Sequence, residues 1–161
     1  MKNIQRHRYK DKKIFETRTL TFDPYPYSEI NQVIRLIQDN LTSDLLKGRK
    51  SLMYPSDVLT NKYYGHCYHS SQALHYLIDT DKLVSMSGED YRGEKHWWLQ
   101  DGEKIYDCTA KQYLDKGELP PYNTGKKSVW YGWKQRPQQI SLNLMKRVLG
   151  NRLESDSVTV A

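Results

Sequence analysis

Three residues could together do nucleophilic chemistry: Cys67 in Gly65-His66-Cys67-Tyr68, His96 in Lys95-His96-Trp97-Trp98, and Asp107 in Ile105-Tyr106-Asp107. A thiol near an imidazole that is held by a carboxylate is the cysteine form of the nucleophile–base–orienter arrangement. Cys67 would attack a carbonyl carbon, and His96 would take the thiol proton and later protonate the leaving group. Asp107 would fix the ring and stabilise the imidazolium. The target would be an amide, a peptide bond or a thioester, so the expected partner is a protein, a peptide or a small amide substrate.

Such chemistry needs elements that bring the three together. The segment from about 66 to 79 reads as a helix. Stepping about 100° per residue from Cys67 puts Ser71, Leu74 and Ile78 within about 40° of it and Leu77 at about -80°. That is the expected buried face, with His69, Gln72 and Tyr76 on the opposite side. Cys67 then heads the inward face in the first turn, where free N–H groups and the helix dipole favour an anion and hence a thiolate. Cys108 follows the aspartate in a strand, points to the other face and is expected in the core.

Strands are expected at about 95–100 and 103–108, joined by Asp101-Gly102, a strong two-residue turn signal. With those two residues as the loop, Trp98 faces Ile105, Trp97 faces Tyr106 and His96 faces Asp107. Directly opposed residues share a face, with Cβ atoms about 5 Å apart. A one-residue slip would separate them. The oxyanion donor expected at the helix start is the Cys67 backbone N–H. Trp98, Trp130 and Trp133 are the candidates to line a substrate site.

Around this centre, residues 1–13 read as a basic, weakly ordered arm, 14–150 as one domain of catalytic type and 151–161 as a disordered tail. Within the domain, Ile14–Phe22 and Leu83–Ser87 read as strands, 28–40 as a helix, and Val129–Trp133 as a last strand. A C-terminal helix is expected after Pro137, with Gly150 as its stop. The fold class expected is α+β: the cysteine-bearing helix packed on a small antiparallel sheet.

At 161 residues and 37% hydrophobic content, the chain has the length of one domain with a modest core. No apolar run approaches the ~20 residues of a membrane span, so no membrane partner is expected. The basic N-terminus has no apolar stretch after it, which argues against a signal peptide. Two cysteines without a disulfide framework suit a reducing cytoplasm. The net charge is +6, and residues 1–20, with seven Lys/Arg against two acids, carry +5 of it. Residues 2–18 can therefore contact nucleic-acid phosphates. Basic and aromatic residues near Trp130 leave open a second reading, a non-catalytic binding protein that contacts nucleic acid. The histidines and cysteines match no zinc spacing, so neither a metal nor another cofactor is expected.

The Gly-x-Cys helix opening, the later His96-Trp97-Trp98 and the Asp107-Cys108-Thr109 that ends the next strand resemble the transglutaminase-like branch of the papain-like cysteine enzymes. The likeness covers about residues 60–112. It implies a papain-like core and thiol-dependent acyl chemistry: hydrolysis, deamidation or acyl transfer by a cysteine hydrolase or acyltransferase. Papain-like proteases place a glutamine six residues before the cysteine, so the resemblance also implies Asn61 as a second oxyanion donor, with Tyr63 or Tyr64 as substitutes. The sequence also resembles small uncharacterised bacteriophage and mobile-element proteins with a Gly-His-Cys-Tyr helix, which would imply a host cytoplasm. Two departures are visible. The Cys67–His96 interval is short for a full transglutaminase, and that enzyme's additional domains are missing.

Overall fold

The computed structural model describes residues 2–4, 20–78, 80–131 and 137–160, with side chains over 22–78, 80–131 and 137–150. The chain is α+β. In order it forms β1 (Lys2–Ile4), β2 (Leu20–Phe22), α1 (Ile30–Asp39), α2 (Pro55–Thr60), α3 (Cys67–Leu77), β3 (Val84–Glu89), β4 (Lys95–Asp101), β5 (Lys104–Tyr106), α4 (Lys111–Leu114), β6 (Lys126–Lys127) and α5 (Gln139–Val160). β1 and β2 form a separate antiparallel pair. The other four make an antiparallel sheet in the order β5-β4-β3-β6.

α3 lies at the centre and packs against α5, β4 and α1. One face is apolar, as expected from Leu74, Leu77 and Ile78, all buried. The opposite face is buried too, contrary to the expectation for His69, Gln72 and Tyr76. α5 covers it and supplies partners for part of its polar surface. Ser141 Oγ donates to Gln72 Oε1 (2.8 Å) and lies 3.0 Å from His69 Nδ1, while the Gln138 N–H donates to the same Gln72 oxygen at 2.9 Å. Periodicity marks apolar residues; it does not register a polar face whose hydrogen bonds are met by another helix.

β4 is one of the two inner strands, and its middle residues are buried on both faces. Trp97 packs with Tyr68, Trp130 and Tyr131, whereas Trp98 meets Tyr122 and the His96 ring. Successive residues thus project to opposite sides, as the pleat requires. The β4–β5 register pairs Leu99 with Tyr106, Gln100 with Ile105 and Asp101 with Lys104. The loop is therefore Gly102-Glu103, one residue later than expected, and every partner moves by two. Gly102 sits at φ +60° and no non-glycine residue described has positive φ. That excludes the type I′ turn, which needs positive φ at both loop positions, and suits type II′ with glycine first.

Two boundaries also differ from expectation. The last strand is Lys126–Lys127 on the edge of β3, not Val129–Trp133; residues 129–131 are irregular, and 132–136 lie outside the described residues. Trp130 instead fills the aromatic cluster beside Trp97, a demand of packing that also enriches such residues in strands. α5 continues through Gly150 to Val160, where a stop and a disordered tail were expected. Glycine inside a helix costs only about 1 kcal/mol, and no proline follows to end it. The expected strand over 14–22 is described only as Leu20–Phe22, and the remainder lies outside the described residues. No described helix is long and apolar enough to cross a membrane.

Candidate functional site

Cys67 is the first residue of α3, and the chain reaches it through Gly65 at φ +88°. A Cβ there would stand 2.9 Å from Met53 Sδ and 3.1 Å from Leu46 Cδ2, so glycine meets both a conformational and a steric demand. Cys67 is half-buried, and its Sγ approaches the carbonyl oxygen of Lys95 at 3.8 Å, the residue before His96.

His96 is fully buried, and its Nε2 lies 2.6 Å from Asp107 Oδ2, whose side chain is only 3% exposed. The predicted contact is present, but Asp107 is not the direct cross-strand partner. β5 ends at Tyr106, and the register carried one step further sets Asp107 opposite Trp98. Asp107 reaches His96 from the diagonal position, on the same face, because a shift of two residues preserves sidedness.

The carboxylate is saturated with contacts. Oδ2 also accepts the Tyr122 hydroxyl at 2.8 Å, and Oδ1 accepts the Thr109 N–H at 2.9 Å and the Thr109 hydroxyl at 3.4 Å. The imidazole lies between Trp98, nearly parallel at 5.8 Å, and Tyr113, edge-on at 4.9 Å. Burial opposes its charged form, but the charge and hydrogen bond of Asp107, reinforced by the Cys67 sulfur, outweigh that and raise its pKa to about 10.

A cavity of ≈ 130 Å³ opens at Cys67 between the segment 49–53 and the β3–β4 turn. Arg49 and Lys95 give its wall positive charge, Asp90 and Glu94 negative charge, and Leu52, Met53, Tyr64 and Tyr113 apolar surface. It is a mixed polar and apolar recess with a thiol in its wall, the size of a small side chain rather than a large ligand.

Of the expected oxyanion donors, Tyr64 borders this cavity, but its hydroxyl donates to Glu94 Oε2 (2.8 Å) and accepts the Tyr54 N–H (3.2 Å). Asn61 serves a turn: its Oδ1 accepts the Tyr63 N–H at 3.0 Å and its Nδ2 donates to the Lys111 carbonyl at 3.4 Å. Tyr63 packs against the core. Trp98 and Trp130 are buried and do not border the cavity, and Trp133 lies outside the described residues. The Cys67 N–H, in the first turn of α3, has no acceptor within the helix.

Gln112 was not anticipated. Its amide nitrogen lies 3.3 Å from His96 Nδ1 and 3.1 Å from Thr109 Oγ1, and it borders the cavity beside Cys67. The short α4 carries it back beneath the histidine, and no motif spacing in the sequence signals that return. Cys108 is buried as expected, and burial pushes its thiol well above the ordinary range.

Among the described residues no group of three or more His, Cys, Asp or Glu is placed to hold a metal ion. The basic segment proposed for nucleic acid falls mostly on residues 5–18, outside the described residues; Lys2–Ile4 pair with β2. No protein-family model, curated protein or solved structure matches the chain.

Proposed function

We propose that this chain is a cysteine-dependent enzyme acting on an amide or thioester, with Cys67 as nucleophile, His96 as general base and acid, and Asp107 as the group that orients the ring. The observation that carries this reading is the buried 2.6 Å His96–Asp107 contact behind a thiol that opens into a small cavity. With Nε2–H held by the carboxylate, Nδ1 is the ring atom left to exchange a proton with the thiol.

Sγ, its proton already passed to the ring, bonds to the substrate carbonyl carbon while the imidazolium stays paired with Asp107. The oxyanion forms near the first turn of α3, where the Cys67 N–H is a donor. Collapse breaks the bond to the amine or thiol, which leaves with the proton from His96. Water or a second amine then resolves the acyl-enzyme, giving hydrolysis or transfer. The resemblance to transglutaminase-like enzymes supports the same class of chemistry.

The test is iodoacetamide labelling near pH 7, read by peptide mapping. Cys67 should react faster than Cys108 and faster than free glutathione, and His96→Ala should slow it by at least about tenfold. A Cys67 that labels slowly, or at the same rate with and without His96, overturns the reading.

A further inference from the structure

A second, larger depression adjoins the thiol cavity at Asp90. It has a volume of ≈ 690 Å³ and runs between Glu89–Tyr91, where β3 ends, and the segment 118–124. Asp90 lines both cavities, so this groove and the recess at Cys67 share a wall. Tyr122, in the other wall, donates its hydroxyl to Asp107 at 2.8 Å, which ties the groove to the His96–Asp107 pair as well.

The walls are fixed to each other. Thr124 donates its hydroxyl to the Glu89 carbonyl at 3.1 Å, joining one wall to the other. Gly88 lets the 121–124 segment lie directly on β3: a Cβ there would stand 2.5 Å from Thr124 Oγ1 and 2.8 Å from the Pro121 carbonyl oxygen. A preformed groove binds without the cost of ordering its own loops.

The lining carries one sign of charge. Glu89, Asp90 and Glu118 contribute carboxylates, and none of the other lining residues is Lys or Arg. That composition stands out in a chain with 25 Lys/Arg against 19 Asp/Glu. The Asp90 oxygens accept from the Arg92 and Glu94 N–H groups and from the Tyr113 hydroxyl. Among the described residues nothing pairs with the carboxylates of Glu89 or Glu118. Beside them lies apolar surface, with Tyr91 60% and Leu119 84% exposed. Carboxylates next to such surface complement lysine or arginine, whose stem packs on apolar groups while its head pairs with acid. The same charges repel a phosphate backbone.

We propose that this groove receives the chain flanking the bond that Cys67 attacks, and that the substrate is a polypeptide with lysine or arginine near that bond. The recess at Cys67, ≈ 130 Å³, holds little more than one small side chain, so an extended substrate must lie on the adjoining surface. The proposal rests on the Cys67–His96–Asp107 reading and gives it a substrate class.

The experiment uses peptide electrophiles on the full chain. Tetrapeptide amides carry an N-terminal acryloyl group, and their two middle residues are both lysine, both norleucine or both glutamate. Cys67 Sγ bonds to the terminal alkene carbon, and the α-carbon takes up a proton. A second set carries a C-terminal vinyl sulfone, so that the peptide runs the other way from the thiol. Each rate of Cys67 labelling is divided by the same protein's iodoacetamide rate, which removes differences in the thiol itself.

In one of the two sets the lysine probe should label about tenfold faster than the glutamate probe, with norleucine between them. The preference should shrink at high salt. The double variant Glu89→Lys/Glu118→Lys, changed only at exposed or half-buried positions, should abolish or reverse it. Lysine and glutamate probes that react alike in both sets overturn the proposal, and that comparison needs only wild-type protein. A preference that survives the double reversal overturns it too. His96→Ala separates the groove from the chemistry. Charge preference with iodoacetamide labelling indifferent to His96 supports the groove and sinks the enzyme reading. Labelling that depends on His96 without charge preference sinks the groove alone.

Discussion

Asp107 reaches His96 along the diagonal of the β4–β5 hairpin, with Oδ2 2.6 Å from the ring Nε2 in the protein interior. Asp107 lies just past the end of β5, where its Oδ1 accepts the N–H of Thr109 two residues on. The chain thus turns away while the carboxylate stays aimed at the ring. Asp107→Asn retains the shape and removes the charge. A charge-assisted hydrogen bond contributes about 1.5–3 kcal/mol. Cys67 alkylation at pH 7 should therefore fall by roughly tenfold to a hundredfold, measured as the second-order rate with iodoacetamide. An unchanged rate would mean that the buried pair only supports the hairpin.

His66 and His69, at the head of α3, should set the acid side of the stability profile. Burial lowers both, aided by the charge of Arg49, to about 4 for His66 and about 3 for His69. A histidine depressed on folding gains its proton first in the unfolded chain. Its penalty is absent above about pH 6.5 and grows as pH falls toward the folded value. From pH 6.5 to 5 each should remove up to about 2 kcal/mol. His96, raised to about 10, acts oppositely: its contribution is complete below about pH 6.5 and is lost as pH rises toward 10. Urea midpoints from pH 5 to 10 should form a dome, and His69→Gln should flatten its acid limb. A midpoint independent of pH between 5 and 6.5 would contradict the buried, neutral state of these histidines.

The placement of Cys67, His96 and Asp107 was legible because its signals are local: a glycine before a helix-opening cysteine, and two β-rich runs around a glycine turn. Sidedness survived an error in register, since moving the loop from Asp101-Gly102 to Gly102-Glu103 shifts partners by two and leaves His96 and Asp107 on one face. The polar face of α3 was misread because Gln72 and His69 find their partners on α5, about seventy residues away. Gln112 escaped notice for the same reason. Its importance lies in where α4 returns the chain, which is a tertiary fact. Aromatic residues misled in a third way: Val129–Trp133 has the composition of a strand, yet Trp130 is spent on packing against Trp97.

The rim of the cavity is tied to α2 by a buried carboxylate. Asp57 accepts from Arg92 at 2.6 Å and pairs with Lys116 at 2.7 Å, and the Arg92 guanidinium lies 4.0 Å from the Tyr54 ring centre. Burial opposes the Asp57 charge, but Lys116 and Arg92 prevail and hold its carboxyl below the usual range. A depressed carboxyl stabilises the fold at neutral pH, and that contribution disappears as pH falls below about 4. Asp57→Asn should cost about 1–3 kcal/mol at pH 7 and progressively less toward pH 3. Urea midpoints of the two proteins should converge on acidification, and amide exchange over residues 90–94 should speed up in the variant. Parallel curves across that range would show that the charge of Asp57 is not what ties the rim.

Gly65 offers a way to move the thiol without touching the side chains of Cys67, His96 or Asp107. Its φ of +88° disfavours alanine by roughly 1–2 kcal/mol. The added methyl would also press on Met53 and Leu46. Met53 is flexible and can yield part of the way, so Gly65→Ala should fold with a loss of about 1–3 kcal/mol. The strain falls two residues before Cys67, on the turn that sets the start of α3, and a proton transfer tolerates little displacement of its partners. Cys67 alkylation should drop by about tenfold or more, while the His96–Asp107 pair, anchored in β4 and beyond β5, keeps its own titration. The check is to measure both in one sample: the alkylation rate, and the His96 ring signal followed by NMR through the alkaline range. A thiol that slows while the imidazole titrates as before would show that the position of Cys67 at the helix start is a separate requirement from the carboxylate that holds the base.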